Sequence, residues 1–175
     1  MIKMNIDLTK HIREEDALLQ RGKHKTGTDR IDAELIENQM IMGKLGSFDL
    51  VCDEPTERAG TGKGPNPLKY FLSGFAFCFL TWCARAIASY DTQVESLKMT
   101  VLGRFERVNT HAFTEIQYDL RLEGPLDSLS AVQLVKLAER ECFVHNTLRR
   151  AVPLTGRVYL NEKLILSETF KAKPA

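Results

Sequence analysis

Apolar positions along this chain change period several times, and each change marks a new element. In residues 9–19, Ile12, Ala17, Leu18 and Leu19 fall among charged neighbours, which predicts a short amphipathic helix with Thr9 as its cap. Residues 22–27 are basic and bounded by glycines, the composition of a connector. The pattern then shortens. Residues 31–37, 39–42 and 48–53 read as three short strands separated around Gly43 and Gly46, a meander of hairpins. A glycine-rich loop, residues 60–64, leads to Pro65-Asn66-Pro67, where Asn66 can cap a helix and Pro67 suits its first turn. Residues 68–89 are then apolar nearly all round, as expected for a helix buried on most sides. Two alternating stretches, 97–107 and 113–122, predict strands whose packed face carries Val101, Phe105, Ile116, Tyr118, Leu120 and Leu122. Residues 130–150 predict one long helix opened by a Ser130/Gln133 capping box. On it Val135, Ala138, Cys142 and His145 share a side. Residues 157–160 and 164–170 close the chain as a hairpin turning at Asn161-Glu162-Lys163. The order is that of an α+β fold with two long helices on antiparallel sheet.

Composition adds mainly exclusions. With 175 residues the chain can bury one real core, and its formal net charge of +1 offers no field for nucleic acid. The first 21 residues lack the apolar core of a secretory signal, and the apolar run 70–84 is short and interrupted for a bilayer span. A cytoplasmic protein without membrane or nucleic-acid partners is the expectation. In that compartment Cys52, Cys78, Cys83 and Cys142 stay mostly reduced, so a cysteine pair there serves chemistry more often than stapling.

No two of the four cysteines form a C-x-x-C pair, which removes a zinc-ribbon reading. Cys142 and His145 could put two ligands on one helix face, but no second pair accompanies them, and neither a metal nor a cofactor is expected. Residues 60–64, Gly-Thr-Gly-Lys-Gly, lack the Ser or Thr that follows the lysine of a phosphate loop, so a flexible loop is expected. Taken singly, Cys52, Cys78 and Cys83 read first as small packing residues, while Cys142, among charged neighbours, is as often structural as not. His11, His24 and His111 sit in polar surroundings and are expected at the surface.

Two segments change the weight of Cys78 and Cys142. Residues 64–78, GPNPLKYFLSGFAFC, resemble the central-helix signature of the OsmC/Ohr family, and residues 138–148, AERECFVHNTL, resemble its second cysteine signature. Asp53-Glu54-Pro55 is similar to the strand end that precedes the family's loop. The resemblance covers most of residues 31–170 and divides the chain into an N-terminal helix with connector, 1–27, and an OsmC/Ohr-like domain, 28–175. It implies an intertwined homodimer and a peroxidase in which Cys78 attacks an organic hydroperoxide and becomes a sulfenic acid. Cys142 then closes a disulfide with it, and a dithiol reductant resets the pair.

The sequence departs from that family where the thiol is activated. The family's peroxidases use an arginine from the N-terminal hairpin, held by a carboxylate early in the central helix. Here the carboxylate positions are Leu68 and Lys69, and no arginine occurs in residues 31–47. Arg30 and Lys44 lie near that region, Lys69 falls nearly opposite Cys78 on an ideal helix, and Arg85 shares the Cys78 face. These departures favour an alternative from another class, an OsmC-like dimer that binds a small apolar ligand without peroxidase turnover. A hotdog-type thioesterase would need an acid on the buried helix, and residues 68–90 contain none.

Overall fold

The computed structural model describes residues 6–21 and 26–171. They form two compact units, one of residues 18–73 and one in which the N-terminal segment to Ala17 joins Gly74 onward. The predicted connector lies mostly outside the described residues.

In the smaller unit, β1 (Asp32–Glu37), β2 (Met40–Leu45) and β3 (Phe48–Cys52) form the expected antiparallel meander. The glycine-rich loop after β3 is held and not free. Buried Asp53 accepts hydrogen bonds from the Thr61 amide (3.0 Å), the Thr61 hydroxyl (2.5 Å) and the Lys63 amide (3.2 Å). Gly64 passes so near β3 that a Cβ there would sit 2.1 Å from the Val51 carbonyl oxygen. Gly60 and Gly64 therefore serve close backbone approach and Gly62 a left-handed turn at φ 69°, which composition alone reads as mobility.

The larger unit holds most of α1 (Ile6–Gln20), most of α2 (Pro67–Ser89), and a four-stranded sheet of β4 (Ser96–Glu106), β5 (Ala112–Glu123), β6 (Leu154–Leu160) and β7 (Lys163–Phe170) in spatial order 4-5-6-7. Helix α1 starts before Thr9, which therefore lies within it and does not cap it. Strands β5 and β6 are parallel, so the chain must cross over between them, and α3 (Ser128–Glu141) with α4 (Phe143–Ala151) forms that crossover. Ile116, Tyr118, Leu120 and Leu122 of β5 alternate into the core beside Leu154, Gly156, Val158 and Leu160 of β6. Tyr118 lies over its partner Gly156, where an added Cβ would meet the ring at 2.3 Å.

Of the strand residues expected in the core, Val101 is half-buried and Phe105 is exposed. Phe105 follows an irregularity in the β4–β5 register and packs edge-on against Phe113 at 6.2 Å instead. The last turn is tighter than expected, with only Asn161 and Glu162 between β6 and β7, at φ of 45° and 64°. Two consecutive left-handed residues are what the twist of a two-residue hairpin requires.

Helix α2 is long and apolar enough to cross a membrane by length and composition, yet here it contributes a core face. Phe75, Phe79, Cys83, Ala86, Ile87 and Ala88 are buried. The expectation of burial on most sides is not met within one chain, because Phe77 is 69% exposed.

Candidate functional site

An aromatic cluster fixes the floor of the site. Phe75 and Phe79, one turn apart on α2, stand 5.7 and 5.1 Å from the Tyr118 ring, and His145 joins them at 6.3 and 5.7 Å. Cys78 precedes Phe79 and is half-buried at the edge of this packed face.

Cys142 is fully buried, and it is where the predicted long helix breaks. At φ −73° and ψ 113° it ends α3 and serves as the N-cap of α4. Its sulfur accepts a hydrogen bond from the His145 amide at 3.4 Å. The side-chain amide of Asn146 donates to the carbonyls of Glu139 (3.3 Å), Arg140 (2.7 Å) and Cys142 (3.0 Å). Carbonyls lose their helical partners where α3 stops, and the Cys142 carbonyl also accepts from the Asn146 backbone amide at 2.9 Å. A continuous helical period hides such a break. The start of α3 also differs from the expected capping box. Asp127 is the cap, and Ser130 donates to it from its amide (2.9 Å) and hydroxyl (2.7 Å).

Together these elements bring Cys78 and Cys142, 64 positions apart in sequence, to an Sγ–Sγ distance of 3.3 Å with both thiols free. A disulfide would need that distance to close to about 2.05 Å. Burial pushes the Cys142 thiol up to about 12, so it is protonated at neutral pH. The other two cysteines behave as expected of packing residues. Cys83 is buried, with its thiol pushed far up by that burial, and Cys52 is half-buried.

Sequence reasoning missed a buried polar cluster behind Cys142. Glu139 accepts from the Tyr118 hydroxyl (2.9 Å) and from Lys136 (3.0 Å), and Lys136 also pairs with Glu168. Burial raises the Glu139 carboxyl, while its bonds to Lys136 and Tyr118 oppose that shift. His145 is completely buried among rings, with Phe79 at 5.7 Å and Phe170 at 5.1 Å. Burial first, then the charge of Arg149, lowers it to about 4, so the imidazole is neutral at physiological pH. His11 and His111 are exposed as expected, and His24 lies outside the described residues.

Of the four cations singled out in the sequence, Arg30, Lys44 and Arg85 are engaged by other partners. Arg30 pairs with Asp32 at 2.6 Å and Lys44 with Asp49 at 3.0 Å. Arg85 pairs with Glu15 of α1, and its guanidinium carbon lies 4.8 Å from the Trp82 ring centre. Among the described residues, no group of three or more His, Cys, Asp or Glu side chains could hold a metal ion.

Comparison with known proteins gives this α+β fold a family. The model of the OsmC-like protein family matches residues 60–156, and this chain belongs to that family. The crystal structure of an OsmC-like protein from Mycoplasma pneumoniae superposes with a TM-score of 0.71 at 24% identity, over 77% of this chain and 97% of that one. An organic hydroperoxide resistance protein OsmC from Legionella pneumophila gives a TM-score of 0.59 at 23% identity, over 76% and 97%. An uncharacterized protein of Haloferax volcanii is 28% identical over 107 residues, 61% of this chain and 76% of that protein.

Proposed function

We propose that this chain is a thiol-dependent peroxidase that reduces organic hydroperoxides at Cys78, with Cys142 as the resolving thiol. The observation that carries this reading is the 3.3 Å contact between two reduced sulfurs within an OsmC-family fold. The Cys78 thiolate attacks the distal oxygen of the hydroperoxide, the O–O bond breaks, and the alkoxide leaves and is protonated to the alcohol. Cys78 is then a sulfenic acid. Cys142 attacks it, the disulfide forms, and the thiol proton departs with the hydroxyl as water. Two thiols of an external dithiol restore the pair and become a disulfide themselves. Apolar tails suit the aromatic surroundings of Cys78, which favours alkyl over hydrogen peroxide. That the Legionella neighbour is called an organic hydroperoxide resistance protein supports the same substrate class at family level.

The working unit on this reading is a homodimer in the cytoplasm. Phe77 and Phe143, 69% and 76% exposed, are large apolar side chains that a partner chain would cover. Peroxide consumption coupled to dithiothreitol tests the activity. Wild type consumes cumene hydroperoxide faster than hydrogen peroxide, and Cys78→Ser falls to the background rate. Cys142→Ser accumulates a sulfenic acid that dimedone traps on residue 78.

A second reading has one specific observation in its favour. Arg85, the cation on the Cys78 face of α2, is committed to Glu15. A dimer that binds a small apolar ligand without turnover would leave cumene hydroperoxide unconsumed by wild type.

A further inference from the structure

We infer that Cys142 has a second task before it resolves the sulfenic acid: its thiol donates a hydrogen bond to the Cys78 sulfur and stabilises the Cys78 thiolate. The inference rests on the reading of Cys78 as the attacking sulfur and supplies the activating contact that reading lacks.

The geometry is directional. The Cys142 sulfur has one proton to give and lone pairs to receive. The His145 amide, at the start of α4, occupies the receiving side at 3.4 Å. The Cys78 sulfur lies 3.3 Å away and is the acceptor for the S–H. The helix break sets this arrangement, because only a residue at the N-cap turns its side chain back toward the amide three positions on. Burial keeps Cys142 in its protonated, donating form. A hydrogen bond to the charged form of a thiol favours that form.

Several charged groups on the same elements are held by other partners. On α2, Arg85 is paired with Glu15. On α3, Arg140 is paired with the adjacent Glu141, and Lys136 with Glu139 and Glu168. On α4, the buried His145 is neutral at physiological pH, and Arg149 lies 5.7 Å from the Phe170 ring centre.

The test measures ionisation without peroxide, so it can fail independently of the peroxidase reading. The rate of iodoacetamide labelling of the Cys78 peptide, followed by mass against pH, gives the thiolate midpoint in wild type, Cys142→Ser and Cys142→Ala. The midpoint should rise by about one pH unit in Cys142→Ala, which means about tenfold fewer thiolates at neutral pH. Cys142→Ser, whose hydroxyl can still donate, should stay near wild type. The limiting rate at high pH separately reports any change in access. Cys142→Val fills the space without a donor and should match Cys142→Ala, and it serves in its place should that variant not fold. Equal midpoints in wild type and the donorless variants would overturn the inference. So would a serine variant that moves as far as alanine, since the loss would then belong to packing.

Discussion

His145 and Asp53 show how single buried groups set the pH range and local order of this protein. The folded-state affinity of His145 for protons is lowered from 6.5 to about 4 by burial, so the unfolded chain binds the proton more readily. Stability from keeping this imidazole neutral is therefore fully present above pH 6.5 and is lost as pH falls through 4. The slope amounts to roughly 3 kcal/mol over that window. Urea unfolding at pH 7.5, 6 and 5 should fall steeply for wild type and more gently for His145→Leu. Glu139 is retained in both proteins, so its contribution of opposite sign cancels in the comparison. Parallel slopes would remove His145 as the source. Asp53 acts on the loop, because its carboxylate gathers Thr61 and Lys63. Asp53→Ala leaves those donors unmatched and should lower unfolding stability. Amide exchange in residues 60–64 should accelerate with it.

At the scale of elements, the break between α3 and α4 is the feature on which the site depends. Asn146 bridges it by satisfying three carbonyls, so Asn146→Ala should lower unfolding stability by about 1–2 kcal/mol. It should also slow disulfide closure in a peroxide-mixing experiment, because Cys142 is no longer held at the N-cap. An unchanged closure rate would mean that Cys142 is positioned by its side-chain packing alone. The sequence reading placed every strand and α2 because those segments have strong punctuation, but it ended the second strand before Gly43, which lies inside β2, and missed the start of β6 at Leu154. Alternation in β5 named Ile116, Tyr118, Leu120 and Leu122 correctly, and all four are buried. The helix break was invisible, since Val135, Ala138, Cys142 and His145 keep a helical period straight through it. The β5–β6 parallel pairing was equally hidden, because a strand's own pattern does not state which neighbour it takes. The thiol pair was legible only through the resemblance of its two flanking motifs. Nothing local in either segment indicates a partner 64 residues away.

For the molecule as a whole, one chain leaves too much of its apolar surface uncovered for α2 to be the fully buried helix its composition implies. Phe77 and Phe143 in the larger unit are exposed, as are Leu35 and Phe48 in the smaller one. Sedimentation at micromolar concentration should give a dimer for wild type and a monomer for Phe77→Glu, whose added charge cannot be buried without a partner. A monomeric wild type would contradict the proposed assembly. The central claim, that Cys78 and Cys142 form a peroxide-driven redox pair, is tested most directly by intact mass and free-thiol count before and after one equivalent of cumene hydroperoxide. The account predicts the loss of two thiols and two mass units, mapped to a Cys78–Cys142 disulfide that dithiothreitol reverses. Four free thiols and an unchanged mass in the folded protein would contradict it.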